Sequence, residues 1–233
     1  MKKNLRGQGL LEYALLIALI VVGIILIMNL FGFTVRDVYC MAASKISGSE
    51  DGGACQPANL CQDDFLSDLG GWNTLDGKWV VKDGKLCNVT VGRTLNTCSI
   101  AENLTDYTII LDGAKLNAGD GFGVFFRAQM TPKGLTGYIF QYDPGLNAFV
   151  FRKWVNGKEL NPPFAVAPAK GYDWYGAPHD IRVEVKGNTF TAYIDGVPVL
   201  TAQDSTYTNG GSGLRTWDST QACFDQFGIE SAP

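Results

Sequence analysis

Several ingredients of common active sites are scarce in this 233-residue chain. It has one histidine, His179, and no C-x-x-C pair, which argues against a zinc site. Charged residues make up only 18%, and the net charge of −4 argues against nucleic acid as a partner, because phosphate binding requires a basic face. Since 46% of the residues are hydrophobic, the chain is nevertheless too apolar to be disordered.

Glycine, aromatic residues and cysteine are well represented. The 28 glycines and 12% aromatic residues favour a turn-rich β protein. An even number of cysteines following an apolar N-terminal segment predicts disulfide bonds. Six cysteines allow 15 sets of pairs, and their spacing does not choose among them. They are Cys40, Cys55, Cys61, Cys87, Cys98 and Cys223.

The N-terminal region contains a long apolar run, Ala14 to Phe33, interrupted only by Asn29. As a helix its twenty residues would rise about 30 Å, enough to cross the hydrocarbon core of a bilayer. Basic residues ahead of such a run predict a cytoplasmic N-terminus and an exported remainder, which would place the cysteines in oxidising surroundings. These residues are Lys2, Lys3 and Arg6.

The role of this segment depends on a single acid, Glu12, which lies near the start of the stretch Arg6 to Met28. A cleaved secretory signal has a shorter apolar region and a small-residue exit, and this run has neither feature. A plain membrane anchor remains open, with Glu12 at the interface. A carboxylate within a membrane segment is costly unless it is paired, so Glu12 also indicates a function.

The stretch "RGQGLLEYALLIALIVVGIILIM" resembles the start of a type IV prepilin, in particular the Flp (Tad, type IVb) pilins. The resemblance covers residues 1–46 and implies a leader, residues 1–7, that a prepilin peptidase cuts between Gly7 and Gln8. Residues 8–46 would then form a hydrophobic helix. Glu12 and Tyr13 match the Glu-Tyr pair of these pilins, and Glu12 is implied to neutralise the new N-terminal amine during assembly.

A linker and a β domain are predicted after this helix. Residues 47–60 are rich in Gly, Ser and acids and have no apolar period, which is typical of a linker. From Cys61 onward, apolar residues alternate with polar ones, which predicts ten to thirteen short strands in an antiparallel sandwich or barrel. The predicted hairpin turns are Asp83-Gly84, Asn156-Gly157, Gly187-Asn188 and Asp195-Gly196.

The order of "DDFLSDLGGWNTLDGKWVVKDGKL", "HDIRVEVKGNTFTAYIDGVPV" and "CFDQFGIE" resembles the concanavalin A-like (laminin-G-like) lectin/glucanase jelly roll. The predicted domain spans residues 61–233, and the predicted fold class is mainly β with one long N-terminal α-helix. Because the first and last strands adjoin in that fold, the resemblance favours a Cys61–Cys223 bridge. Cys87–Cys98 and Cys40–Cys55 would then be the remaining pairs.

No enzyme activity is expected of this domain. A glycosidase requires two carboxylates across the scissile bond. The glucanases of this fold carry theirs on alternate residues of one strand, whereas here Glu184 stands alone between Arg182 and Lys186.

Sugar binding is the better functional candidate, through aromatic platforms and planar polar groups on a concave sheet face. In the alternative interpretation, the aromatic residues only pack the sandwich and the arginines only face solvent. The candidate glycan-binding residues are Arg127, Tyr138, Tyr142, Arg152, Trp154, Arg215 and Trp217.

No cofactor is expected, except that Asn117 and Asp120 in "NAGDGFG" are weak calcium candidates in what is otherwise a polar hairpin loop. The expected function is a structural subunit of an extracellular type IV pilus-like filament that displays the lectin-like domain for adhesion or glycan binding. Its partners would be further copies of this chain, prepilin peptidase, the assembly machinery, the inner membrane before assembly, and glycans. A membrane-anchored lectin-like surface protein that does not polymerise, or a minor pilin or pseudopilin, remains an alternative.

Overall fold

The computed structural model describes residues 59–97 and 105–232, together with Glu12 and Leu15. The chain divides into two compact units, Met1–Gln56 and Pro57–Pro233. In the first unit the structure describes only Glu12 and Leu15, which have helical backbone conformations and exposed side chains. No helix among the described residues is long and apolar enough to span a membrane.

The fold class predicted from the sequence is therefore wrong, because the described residues form an antiparallel β jelly roll without the long apolar helix. The prediction relied on hydropathy, and an uncharged apolar run indicates a preference for burial without specifying the conformation or the partner. The predicted cleavage between Gly7 and Gln8 and the role of Tyr13 lie outside the described residues.

Fifteen strands make up the second unit as far as it is described. They are β1 (Asn59–Asp63), β2 (Trp72–Lys82), β3 (Lys85–Asn96), β4 (Tyr107–Ala118), β5 (Phe122–Thr131), β6 (Gly134–Asp143), β7 (Ala148–Val155), β8 (Lys158–Glu159), β9 (Ala165–Pro168), β10 (His179–Lys186), β11 (Thr189–Ile194), β12 (Val197–Gln203), β13 (Gly211–Thr216), β14 (Gln221–Phe224) and β15 (Gln226–Ser231).

The strands form two layers. The front sheet has the order β2-β3-β13-β5-β6-β7, and the short strands β8 and β9 both pair with β7. The back sheet has the order β12-β11-β10-β4-β15-β1. Strand β14 pairs with β3 and with β4 and so connects the two layers. Every pairing is antiparallel, as alternation and short turns predict.

Strand β4 changes its partner halfway along its length. Residues 107–112 pair with β15, whereas residues 115–118 pair with β14. Gly113 lies between these segments with a φ of 63°, and a Cβ there would lie 2.3 Å from Cγ of Asp225. Only glycine fits this position, which lets one strand serve both layers.

Three of the predicted hairpin turns have the backbone that their sequences indicate. Both turn residues have positive φ, 55° and 70° at Asp83-Gly84, 53° and 78° at Asn156-Gly157, and 52° and 76° at Asp195-Gly196. Positive φ at both positions is the signature of the two-residue type I′ hairpin. These predictions are confirmed.

The core lies between the sheets and is mostly aromatic. On β5, β6 and β7, alternate side chains point inward against Phe190 of the back sheet, whose ring centroid lies 4.9 Å from that of Phe126. Each such buried ring contributes about 1.5–3 kcal/mol. The other face of the front sheet carries a second, smaller apolar cluster, formed by Phe125, Ala128, Leu135, Ile139 and Trp154.

A disulfide bond joins Cys87 on β3 to Cys223 on β14, and the two residues are direct cross-strand partners with Cα atoms 4.2 Å apart. The predicted pairs Cys61–Cys223 and Cys87–Cys98 are therefore wrong. The prediction treated Cys223 as a neighbour of the final strand, but that strand is β15, and β1 pairs with it instead. Cys61 is also disulfide-bonded, whereas Cys40, Cys55 and Cys98 lie outside the described residues.

Replacing Cys87 and Cys223 together by serine should lower the free energy of unfolding by about 2–5 kcal/mol, because the bond closes a loop with a sequence separation of 136 residues. Urea unfolding of the variant and of the unreduced protein measures this difference. A non-reducing peptide map that linked Cys87 to any cysteine other than Cys223 would contradict the assignment.

Tyr138 lies at one end of the core and is fully buried. Its Oη donates to Asp204 Oδ1 at 2.6 Å and accepts from Tyr207 N at 2.9 Å. Burial, and secondarily the bond to Asp204, raise the pKa of the Tyr138 hydroxyl to about 12. In the unfolded chain a tyrosine hydroxyl has a pKa of about 10. Below that pH, the stabilisation that the neutral Tyr138 hydroxyl gives to the folded chain is fully present. That contribution is lost as the pH rises from there through about 12.

Tyr138→Phe should lower the free energy of unfolding near neutral pH by about 1–3 kcal/mol, because it leaves Asp204 and the Tyr207 amide without this partner. It should also reduce the fall in stability between pH 10 and 12. Chemical unfolding across this pH range measures both effects. Tyr175→Phe, which changes an exposed tyrosine, is the control. An equal alkaline slope in wild type and Tyr138→Phe would refute the explanation.

Candidate functional site

The outer face of the front sheet holds a cavity of about 270 Å³. The side chains of β6, β7 and β13 that line it alternate with the inward-facing residues Phe140, Phe151 and Leu214. Strand pairing therefore brings together polar groups that are far apart in the sequence. We call this the first cavity. Its lining residues are Gln141, Asp143, Arg152, Glu159, Asn161, Arg215, Trp217 and Asp218.

Glu159 reaches this face through a tight hairpin. The Asn156-Gly157 turn sets the register so that Glu159 on β8 lies opposite Trp154 on β7. Cross-strand partners share a sheet face, so the carboxylate points outward beside the Trp154 ring. Its position follows from the length of the turn.

The Glu159 carboxylate bridges two arginines. Its Oε1 lies 2.9 Å from Arg152 Nε, and its Oε2 lies 2.7 Å from Arg215 Nη1. Arg152 also pairs with Asp143 Oδ2 at 3.2 Å and donates through Nη1 to Asn161 Oδ1. Since the Arg152 side chain is only 7% exposed, its ion pairs are largely shielded from water and its guanidinium has a fixed orientation.

Arg215 is stacked between two tryptophans. Its guanidinium carbon lies 4.8 Å from the ring centroid of Trp154 and 4.8 Å from that of Trp217. Burial lowers the pKa of Arg215, and the neighbouring Glu159 opposes that shift. An arginine with a lowered pKa still carries its charge at neutral pH. Arg215 therefore combines a cation, a planar set of donors and two aromatic faces.

Gln141 supplies an unused acceptor. The residue is 1% exposed, and no described residue donates to its Oε1. A buried polar atom without a partner costs about 1–3 kcal/mol, which a donor from a bound ligand would recover. A ligand rich in hydroxyl groups fits this requirement.

The structure brings together four of the seven predicted glycan-binding residues. Arg152, Arg215 and Trp217 line the first cavity, and Trp154 lies against Arg215. The other three have side chains within the interior. Arg127 is 2% exposed, and its guanidinium donates to the carbonyls of Tyr207, Thr105 and Gly187. Burial lowers its pKa.

Tyr138 and Tyr142 belong to the opposite face of β6. Tyr142 stacks on Trp174, with ring centroids 4.8 Å apart and an angle of 24° between the rings. Tyrosines at alternate positions do share a face, but that face is the core, which leaves Gln141 and Asp143 on the outside. This alternation was the signal that would have identified those two residues.

The carboxylates of the first cavity differ from a glycosidase pair in their bonding. Asp143 and Glu159 are both ion-paired with arginine, whereas one carboxyl group of a glycosidase must hold a proton for the leaving group. His179 belongs to β10 of the back sheet, where its Nδ1 lies 2.7 Å from Asp195 Oδ2.

The calcium candidates lie elsewhere and already have contacts. Asn117 is exposed and donates through Nδ2 to Cys223 Sγ at 3.4 Å. The amide of Asp120 donates to Thr220 Oγ1 at 2.8 Å. Within the described part of the chain, no group of three or more His, Cys, Asp or Glu side chains is placed to hold a metal ion.

Known proteins share this architecture. No protein-family model matches the chain. A levanase from Bacillus subtilis (strain 168) is 28% identical over 162 residues, which is 67% of this chain and 22% of the levanase. The matched part thus spans about a fifth of that enzyme.

Two solved structures are similar in fold. The carbohydrate binding module CBM66 from Bacillus subtilis has a TM-score of 0.59 at 24% identity, covering 69% of this chain and 96% of the module. A Bacillus subtilis protein of unknown function with a galectin-like fold has a TM-score of 0.58 at 14% identity, covering 76% and 97%. The domain is a concanavalin A-like jelly roll. The comparisons lend no support to the pilin resemblance of residues 1–46.

Glu159→Gln should destabilise the domain by about 1–3 kcal/mol, because it leaves two largely buried arginines without their shared counter-ion. Glu184→Gln is the matched control, since Glu184 pairs with the more exposed Arg182 on the back sheet and should change stability by less than about 0.5 kcal/mol. Urea unfolding measures both. Equal effects of the two substitutions would show that the network does not support the fold.

Proposed function

We propose that this domain is a lectin-like carbohydrate-binding module and that the first cavity holds its ligand. The observation that carries the proposal is the convergence of Arg152, Glu159 and Arg215 beside the Trp217 ring. Sugars present vicinal hydroxyls that exchange paired hydrogen bonds with planar groups, and their C–H faces pack on aromatic rings. The sequence similarity to a levanase and the shared fold with a carbohydrate binding module support it.

The size of the first cavity favours a single sugar residue. Pockets for drug-sized ligands measure about 300–1,000 Å³, and this one is slightly smaller at about 270 Å³. Its polar groups are already fixed by one another, so little conformational entropy is lost when a sugar binds. Gln141 Oε1 would accept a hydrogen bond from one sugar hydroxyl.

The charge balance favours a neutral sugar over an acidic one. Arg152 and Arg215 are compensated by Asp143 and Glu159, and Asp218 adds a further negative charge at the rim. A uronic acid or sulfated sugar would face this balanced or slightly negative surface, and no unpaired cation of the cavity would be available to pair with its charge.

We further propose that the domain binds without hydrolysis, because the carboxylates beside the ligand are engaged by arginines. The Cys87–Cys223 bond favours an extracytoplasmic location, where disulfide bonds persist. A lectin-like surface protein fits these features, and its ligand would be a neutral polysaccharide encountered outside the cell.

Isothermal titration with levan, chosen because of the levanase relative, and with a panel of neutral and acidic polysaccharides tests the proposal. We expect binding to at least one neutral polymer and no release of reducing sugar. Arg215→Ala and Trp217→Ala should each raise the Kd about tenfold or more, since each removes a contact of about 1.5–3 kcal/mol.

Arg182→Ala is the matched control for these variants. Arg182 is also ion-paired with a carboxylate and also lies over a ring, that of Tyr193, but it belongs to the back sheet. The Arg182→Ala variant should bind the polysaccharide with the affinity of the wild-type protein. Binding of no neutral polysaccharide, or equal binding by all three variants, would contradict the proposal.

A further inference from the structure

We infer that the ligand is a chain of at least two sugar residues, because a second cavity adjoins the first and is suited to the neighbouring residue. This inference rests on the proposed carbohydrate binding and extends it to a separate binding position. The second cavity has a volume of about 430 Å³ and shares Arg215, Trp217 and Asp218 with the first. The two cavities therefore adjoin at these three side chains.

The second cavity has polar groups of its own. Arg93 on β3 donates through Nε to Asp76 Oδ2 at 2.8 Å, and its backbone amide donates to Asp76 Oδ1 at 2.5 Å. Asp76 faces Arg93 directly across β2 and β3, at a place where the register of β2 shifts. The pair thus repeats, in the second cavity, the arginine–carboxylate arrangement of the first.

Cations and aromatic rings form one continuous row across both cavities. The Arg93 guanidinium lies 5.3 Å from the Trp154 ring centroid, and Arg215 lies 4.8 Å from that ring and 4.8 Å from the ring of Trp217. Because each member is stacked on the next, the groups that would contact consecutive sugars keep a fixed spacing. A ligand that spans the row needs no rearrangement of the protein.

The remaining walls also suit a sugar in an extended chain. Val91 is 40% exposed and supplies apolar surface for a C–H face. The Arg93 charge is compensated by Asp76, so this cavity, like the first, favours a neutral group. Gly157 keeps the edge low on the side of the β7–β8 turn. The open end allows a polymer to continue beyond the second residue.

Titration calorimetry with fructose and with the disaccharide and trisaccharide prepared from levan tests the inference. We expect the disaccharide to bind about tenfold more tightly than the monosaccharide, with a smaller gain for the trisaccharide. The Kd of Arg93→Ala for the monosaccharide should be within about twofold of the wild-type value. The gain in affinity from the second sugar residue should fall to about twofold or less in this variant.

Arg182→Ala is the control, because Arg182 is also ion-paired and also lies over a ring, but on the back sheet. This variant should retain the full gain in affinity from the second sugar residue. Thermal unfolding verifies that the variants are folded. Equal affinity of the wild-type protein for the monosaccharide and the disaccharide would overturn the second cavity as a binding position and leave the proposal for the first cavity intact. An equal loss of affinity for the monosaccharide and the disaccharide in Arg93→Ala would also overturn the inference. Absence of binding by all three sugars would refute this inference together with levan as the ligand.

Discussion

The two faces of the front sheet are separated by the alternation of side chains along its strands. On β6 and β7 the residues Phe140 and Phe151 point into the core, and their neighbours Gln141 and Arg152 point outward. A shift of one residue would exchange the two sets and bury an arginine among aromatic rings. The aromatic core therefore fixes the register, and the register fixes the position of each polar group in the cavities.

Much of this arrangement could be predicted from the sequence. Alternation and Asp-Gly or Asn-Gly pairs identified the hairpins, and the order of the strand motifs indicated the jelly roll. Arginines and tryptophans at alternate positions, on β7 and at the end of β13, pointed to the face that holds the two cavities. Tyr138 and Tyr142 were harder to place because a tyrosine packs in a core as readily as at a surface. Glu159 was missed because a two-residue strand has no period of its own.

Contacts that depend on the arrangement of the layers could not be predicted in the same way. Cys223 pairs with Cys87 because β14 lies between β3 and β4, and nothing local in "TQACFDQ" indicates a strand that belongs to both sheets. The sequence also shows neither the partner change of β4 at Gly113 nor the closeness of Arg93 to Arg215. Each requires knowledge of which strands adjoin, and that order follows from the packing of the whole domain.

The Asn156-Gly157 turn has a consequence for how related domains can diverge. Because this turn has two residues, Glu159 falls opposite Trp154 and faces the first cavity. A turn lengthened by one residue would direct the carboxylate to the other face and leave Arg152 and Arg215 without their bridge. In a lineage of such domains, the charges that line the first cavity would then change through the length of one surface loop, with every core residue retained.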